Sequence, residues 1–170
     1  AAAGAVIKRR KANMNINNTC NAYWGSGTVN FYRSGGGCSN TGEIAAIFLH
    51  ETAHGLDTYD PNGFSADEGS GEAYADTSAF LMTRDSCIGH NFRPGVPCSF
   101  GCDSSCTGVR DVDTAQNVTV SNIASDPANC DNYNCPYWGY MGPMGYEGHC
   151  ESLIASQAWW DAIKAVRMEI

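Results

Sequence analysis

A chain of 170 residues, 43% of them hydrophobic, is long enough to bury a core of its own, and we interpret it as a single domain spanning residues 1–170. Its formal net charge of −8 argues against a nucleic-acid partner, which would require clustered Lys and Arg. No stretch approaches the roughly 18 consecutive apolar residues of a membrane-spanning helix.

The first part of the chain predicts a small sheet. Residues 1–12 have a helical composition, whereas residues 13–16 and 28–32 alternate polar and apolar side chains, which is typical of strands. The sequence Cys-Asn-Ala-Tyr-Trp between them is followed by a Gly-Ser-Gly turn, which indicates a hairpin. We expect a small antiparallel sheet, stapled by Cys20 and Cys38, whose edge strand lies over the next helix and can hold an extended peptide.

A metal-binding motif follows the sheet. His50-Glu51-x-x-His54 lies in a segment of helical periodicity, with Asn40 as the predicted N-cap and Glu43 as its capping-box partner. On a helix the two histidines share one face and can bind one Zn²⁺, while the glutamate beside them can act as a general base on water. The alternative is a histidine pair satisfied within the core.

A catalytic zinc requires a third protein ligand, and Glu72 is the best candidate. It lies at the start of a second predicted helix, capped by Ser70, with Asp76 one turn later on the same face. That aspartate can accept the free ring N–H of a ligand histidine. Asp57 is the competing ligand, which we rank lower because Gly55 is predicted to end the first helix.

The loop between the two helices is rich in carboxylates. These can bind Ca²⁺, although their spacing fits no EF-hand and a solvated acidic loop is the preferred interpretation. The residues concerned are Asp57, Asp60, Asp67 and Glu68.

Nine cysteines in a chain of this length predict disulfides, and therefore a secreted protein in an oxidising compartment. Six of them fall between residues 87 and 136, where turns prevail and disulfides must supply much of the order. Zinc binding by clustered cysteines is the competing interpretation. Its candidates are Cys98-x3-Cys102-x3-Cys106 and Cys130-x4-Cys135.

The last part of the chain predicts a closing amphipathic helix over residues 151–168, with Trp159 and Trp160 as core anchors. His149 stands just ahead of this helix, where a lone histidine is more often structural than catalytic. Arg110, followed by Asp111, is either an arginine held for a substrate carbonyl or one half of a surface ion pair.

Three separated blocks resemble the thermolysin-like gluzincin metallopeptidases and their fungalysin relatives. Together they cover about a quarter of the chain, and they occur in the order and helical phase of that family. The blocks are Asn21-Ala22-Tyr23-Trp24, His50-Glu51-x-x-His54 with Glu72-x-x-x-Asp76, and Gly148-His149-Cys150-Glu151-Ser152 with Ala158.

The resemblance implies a role for each residue at the metal. His50, His54 and Glu72 would be the zinc ligands. Glu51 would be the general base, and Asp76 would orient a ligand histidine.

It also implies substrate contacts. Asn21 and Ala22 would hold the substrate backbone, and Trp24 belongs to the same substrate-binding block. His149 would donate a hydrogen bond to the oxyanion, and Arg110 would contact the residue after the scissile bond.

Two positions depart from the family pattern. The family's loop tyrosine has no counterpart, because residues 63–65 read Gly-Phe-Ser, and Met144 stands where an aspartate partner of the family histidine is expected. Oxyanion stabilisation would then depend on His149 with Tyr140 or Tyr146.

The predicted fold is α+β and zincin-like. Residues 1–56 would form the sheet and the active-site helix, and residues 57–170 a mainly helical, disulfide-rich lower lobe. The predicted function is a secreted zinc metallopeptidase, expected to be an endopeptidase, that acts on peptide or protein substrates. The alternatives are a non-catalytic, zinc-stabilised adhesive module of the cell surface and a zinc amidase acting on a non-protein amide.

Overall fold

The computed structural model describes residues 11–98, 105–113, 118–121, 123, 135 and 139–168. This part of the chain is α+β, with two small sheets and a set of packed helices. The strands are β1 (Lys11–Ile16), β2 (Ala22–Gly25), β3 (Thr28–Tyr32), β4 (Cys87–Ile88) and β5 (Arg110–Asp111). The helices are α1 (Ala45–Thr58), α2 (Glu68–Thr83), α3 (Gly148–Glu151) and α4 (Leu153–Met168).

The first sheet has the strand order β1-β3-β2 and is mixed. The hairpin between β2 and β3 is confirmed as antiparallel, but β1 runs parallel to β3, so the prediction of a purely antiparallel sheet was wrong. The helical assignment was also wrong at Lys11 and Ala12, which pair with Thr28 and Val29. Pairing with β3 overrides their local helical preference. Residues 1–10 lie outside the described part of the chain.

Helix α1 begins later and ends later than the sequence predicted. Asn40 caps a separate 3-10 turn, Thr41–Glu43, by accepting from Gly42 N at 3.1 Å, and α1 starts only at Ala45. Gly55 does not end the helix. A Cβ at that position would lie 2.8 Å from the indole ring of Trp24, so the glycine lets β2 approach α1 closely.

Helix α2 is capped by Asp67 rather than by Ser70. The Asp67 carboxylate accepts from the backbone N of Ser70 at 2.8 Å and from its hydroxyl at 2.9 Å, which places the serine inside the first turn. A longer acidic side chain three residues upstream therefore satisfies the free N–H groups at the helix start.

The lower lobe is built on the packing of α2 against α4. Phe80 and Trp160 meet edge to face, with ring centroids 5.4 Å apart, beside the buried Leu153. Trp159 is 59% exposed, so it is not the core anchor that the sequence predicted, whereas Trp160 is 8% exposed. Neighbouring helical residues point about 100° apart, so only one of the pair faces the core.

Disulfides fasten both lobes. Cys20–Cys38, Cys87–Cys106 and Cys135–Cys150 are bridged, and Cys98 is disulfide-bonded as well. These cysteines are therefore not thiolate ligands, and the zinc-cysteine interpretation fails for every candidate the structure describes; Cys102 and Cys130 lie outside the described residues. The bridges indicate an oxidising environment. Within the described ranges, none of the helices has the length and apolarity to cross a membrane.

Candidate metal centre

A cleft of about 720 Å³ separates the edge strand β2 from the lower lobe. His50 and His54 project into it from α1, and Glu72 projects from α2, which packs against α1. The spacing of four residues places both imidazoles on one face of α1. The site is therefore assembled from two packed helices, and the sheet forms its upper wall.

The three side chains converge. His50 Nε2 and His54 Nε2 lie 3.1 Å apart, and the Glu72 carboxylate lies 3.1 Å from the first and 3.3 Å from the second. One ligand atom from each residue falls within 4.8 Å of the others, and this is the only such group of three among the residues described. The cluster can hold a metal ion, as the sequence predicted.

The electrostatics of the cluster favour a cation. Burial alone would lower the pKa of His50, but the Glu72 and Asp76 carboxylates outweigh it and raise that pKa to about 10. Burial likewise opposes ionisation of Glu72, yet the neighbouring histidines hold its pKa well below the usual value. An anionic point buried between imidazoles is an environment that a divalent ion neutralises.

Asp76 and Arg110 form the floor of the site. Asp76 Oδ1 lies 3.0 Å from His50 Nδ1, although the ring N–H is not aligned with that oxygen. Arg110 donates to both oxygens of Asp76, at 2.7 and 2.6 Å, and to Glu72 at 3.0 Å. The Ser156 hydroxyl of α4 also donates to Asp76, at 3.3 Å.

Arg110 is only 2% exposed, so its guanidinium is committed to two carboxylates of the site. Burial lowers the pKa of Arg110, but the Asp76 carboxylate raises it by more, so the pKa lies above its ordinary value. The structure thus shows a buried ion pair of Arg110 with Asp76 and Glu72, so the alternative of a surface ion pair was wrong. A contact with substrate, which the family resemblance implied, stays a prediction.

His149 faces the candidate metal ligands from α3. Its Nε2 lies 3.4 Å from Glu72 Oε1, and its Nδ1 lies 2.5 Å from Glu147 Oε1. Burial raises the pKa of Glu147, but the hydrogen bond with His149 and its charge outweigh this and lower it.

Glu147 is the site residue that sequence reasoning missed. The family spacing predicts the histidine's acidic partner at position 144, which is Met, whereas Glu147 reaches the ring from two residues upstream. Its second oxygen accepts from Cys150 N at 3.0 Å and caps α3. The signal in the sequence was an acidic residue directly before a short helix that carries a histidine.

Tyr140 also lies at the site. Its ring centroid is 5.3 Å from that of His149, and it lines the cleft. Burial and its contacts with the Glu68 and Glu72 carboxylates raise the pKa of its hydroxyl, which keeps that group protonated and able to donate. Tyr146, the other predicted candidate, packs instead against the cluster around the Cys135–Cys150 bridge.

The edge strand β2 forms one wall of the cleft. Asn21, Ala22 and Trp24 all line it. Tyr32 N donates to Asn21 O at 3.3 Å, so in the antiparallel ladder the even-numbered residues of β2 turn their N–H and C=O groups away from β3. The Ala22 N–H meets the Asn21 side chain at 2.9 Å.

Glu51 is 8% exposed and lies on α1 among the lining residues of the cleft, directly after the first ligand histidine. Asp57, the competing ligand, is used elsewhere, because its carboxylate accepts from the Ser65 backbone and hydroxyl at 3.0 Å. The acidic loop carboxylates do not converge on a common point among the described residues, so a Ca²⁺ site in this loop finds no support there.

Comparison with known proteins adds no assignment. No protein-family model matches the chain, and no curated protein matches it. The functional conclusion therefore rests on the geometry and chemistry of the site.

Proposed function

We propose that this protein is a zinc-dependent peptidase with a zincin-like arrangement of a sheet lobe above a helical lobe. The observation that carries the proposal is the convergence of His50, His54 and Glu72 beside Glu51 in an open cleft. The resemblance of the three sequence blocks to thermolysin-like gluzincins supports it. The disulfides are compatible with a secreted protein.

The donor set favours zinc over harder cations. Two imidazoles and one carboxylate are the ligands of many catalytic zinc sites, whereas Ca²⁺ and Mg²⁺ prefer oxygen alone. Three protein ligands leave a position for water or substrate. When bound, zinc supplies a Lewis acid that polarises a carbonyl group and lowers the pKa of a water molecule.

The residues of the chain carry the proton transfers and the charge stabilisation. Glu51 accepts the proton of the attacking water and passes it to the leaving amine. Tyr140 donates a hydrogen bond to the carbonyl oxygen as that oxygen gains negative charge, and His149 does the same when the proton is on its Nε2. Glu147 holds the histidine ring from its other nitrogen.

The edge strand supplies the means of holding a peptide. An extended backbone can add to β2 through the Ala22 C=O and the Trp24 N–H and C=O, which point away from β3, whereas the Ala22 N–H already donates to the Asn21 side chain. That contact places the scissile bond above α1, on which the ligand histidines lie, because β2 packs on the same helix. The peptide is thus positioned by main-chain hydrogen bonds with β2 and cleaved with the help of Glu51 from α1 and of Tyr140 and His149 from the opposite wall.

Glu51→Gln tests the proposal. We expect the variant to bind one zinc ion per chain with wild-type affinity and to lose nearly all cleavage of unfolded casein, because glutamine cannot accept the proton. Metal content is measured by elemental analysis and cleavage by release of peptides, with and without a chelator. Wild-type cleavage by Glu51→Gln would refute the role of Glu51.

The same assay separates the alternatives. A wild-type protein that binds zinc but cleaves neither casein nor a peptide library is a zinc-stabilised adhesive module. Cleavage of cell-wall peptide amides without cleavage of casein identifies a zinc amidase. Failure to bind zinc removes the metal-centre proposal altogether.

A further inference from the structure

A buried carboxylate behind the cleft holds the loop of residues 139–148, here called the wall loop. Glu151 of α3 is 4% exposed, and its two oxygens accept the backbone N–H groups of Met144 at 2.8 Å and Tyr146 at 3.2 Å. Gly142 approaches so closely that a Cβ there would lie 2.6–2.7 Å from the carboxylate atoms. One side chain therefore meets three backbone positions of a single turn.

The wall loop is rich in glycine, so its conformation depends on the hydrogen bonds it makes. Four of its ten residues are glycine, at positions 139, 142, 145 and 148, and glycine loses the most conformational freedom on folding. Backbone bonds close the loop as a hairpin, from Gly148 N to Tyr140 O at 2.6 Å and from Gly142 N to Tyr146 O at 2.8 Å. A carboxylate surrounded by backbone N–H groups is a recognised anion-binding arrangement, and here the anion belongs to the chain itself.

The wall loop connects two groups of the candidate site. Tyr140 stands near its start and His149 directly follows its end, and their rings lie against each other in the cleft. Their relative position is therefore set by the conformation of the loop. Misplacement of such groups by about 1 Å can cost roughly a hundredfold in rate.

We propose that Glu151 is a positioning residue, which anchors the wall loop so that Tyr140 and His149 face the metal ligands together. Glu151 acts through these two residues and is not among the described residues that line the cleft. The kinetic consequence of this role rests on the proposed peptidase function, whereas the structural consequence does not.

Glu151→Gln is the direct test. Glutamine has the same shape but one acceptor oxygen, and its amide group would face the second N–H donor. We expect the zinc-loaded variant to keep wild-type zinc affinity, because the ligands lie on α1 and α2. Its kcat should fall about ten- to a hundredfold with little change in KM, and the nuclear Overhauser effect between the Tyr140 and His149 rings should weaken or vanish.

Glu43→Gln is the matched control. It removes the same charge from an exposed glutamate at the 3-10 turn ahead of α1, away from the wall loop. We expect its kcat, zinc affinity and ring contact to equal those of the wild type. Glu151→Gln with the ring contact intact and kcat unchanged overturns the proposal, as does a loss of activity that Glu43→Gln shares.

Two further measurements keep the proposal testable if Glu151→Gln does not fold. Gly142→Ala keeps Glu151 in the sequence but adds a methyl group that collides with its carboxylate, so the carboxylate must shift. We expect the same loss of the contact between the Tyr140 and His149 rings. In the wild type, the Met144 and Tyr146 amides should exchange slowly with solvent. Rapid exchange of both amides overturns the proposal.

A failure of the proposed function is distinguishable from a failure of this inference. If the zinc-loaded wild type cleaves no substrate, the peptidase proposal falls. The ring contact and the amide exchange then still decide whether Glu151 positions the wall loop.

Discussion

Arg110 shows how one buried side chain links a candidate metal ligand, Glu72, to the strand β5. Its guanidinium contacts Asp76 and Glu72, and its strand, β5, pairs with β4 next to the Cys87–Cys106 bridge. Because the planar fork meets two carboxylates at once, it sets the direction in which Glu72 points. The residue thus acts on the geometry of the candidate site from below.

Arg110→Met should therefore destabilise the metal-free protein. Removing one partner of a buried ion pair leaves uncompensated charge and costs about 3–5 kcal/mol. Zinc should recover part of this loss, because the ion neutralises Glu72. Urea unfolding of metal-free and zinc-loaded protein measures both effects. If the metal-free variant is as stable as the wild type and only KM rises, Arg110 is a substrate contact instead.

Glu147 acts at the same scale, through His149. Glu147→Ala removes the acceptor from His149 Nδ1 and the cap of α3, and we expect kcat to fall about 10- to 100-fold while zinc remains bound. The double variant with His149→Ala is the control. If Glu147 works through the histidine, its removal costs little more once His149 is gone. Additive losses contradict this role.

The packing of β2 on α1 is the contact between elements on which the cleft depends. Trp24 rests on Gly55 and meets Tyr59 edge to face at 6.1 Å, so the edge strand is held against the end of α1, directly after His54. A glycine inside a helix is normally a cost of about 1 kcal/mol relative to alanine. Here the close approach of the indole ring explains its presence.

Gly55→Ala should test this contact. Helix propensity alone predicts stabilisation of about 1 kcal/mol, but overpacking typically costs about 1–3 kcal/mol, so we expect a net loss near 1 kcal/mol. Gly71→Ala is the matched control in α2, because its Cβ would meet its nearest neighbour at an ordinary 3.8 Å. Thermal unfolding compares the two. Equal stabilisation by both substitutions would show that Trp24 does not rest on Gly55.

At the scale of the molecule, we expect the described disulfides to supply a large part of the stability. The three described bridges join residues 18, 19 and 15 positions apart, and a closed loop of about 15 residues contributes roughly 3 kcal/mol in the chain-entropy model. Their sum is comparable with the total stability of a typical domain, about 5–15 kcal/mol. We therefore expect the fold to depend on an oxidising environment.

Reduction should lower the melting temperature sharply, even in the zinc-loaded protein. Metal binding holds α1 and α2 together, but it does not replace the restraint that the three disulfides place on the segments they join. Circular dichroism with and without a reducing agent measures the change, and free-thiol titration verifies that the bridges are open. An unchanged melting temperature with all thiols free would show that the core alone sustains the fold.

Local features of this protein could be predicted from its sequence. Each of these features involves residues close in sequence, whose relative position is determined by helical periodicity and turn chemistry. They are the shared helix face of His50 and His54, the spacing of Glu72 and Asp76, the β2–β3 hairpin and the Cys20–Cys38 bridge. Helix boundaries were less predictable. Asp67 and Ser70 are both good caps, and only the observed hydrogen bonds distinguish them.

The tertiary structure alone decided the contacts between residues distant in sequence and the contacts that depend on the length of a side chain. The packing of the elements determines three of these contacts. They are the parallel pairing of β1 with β3, the burial of Trp160 instead of Trp159, and the ion pairs of Arg110 with Asp76 and Glu72. The choice of Glu147 over position 144 as the partner of His149 depends on side-chain reach. The sequence by itself determined which chemistry the chain carries, because ligand types and their spacing are local. The three-dimensional packing determined how these groups are held, since that energy arises between elements.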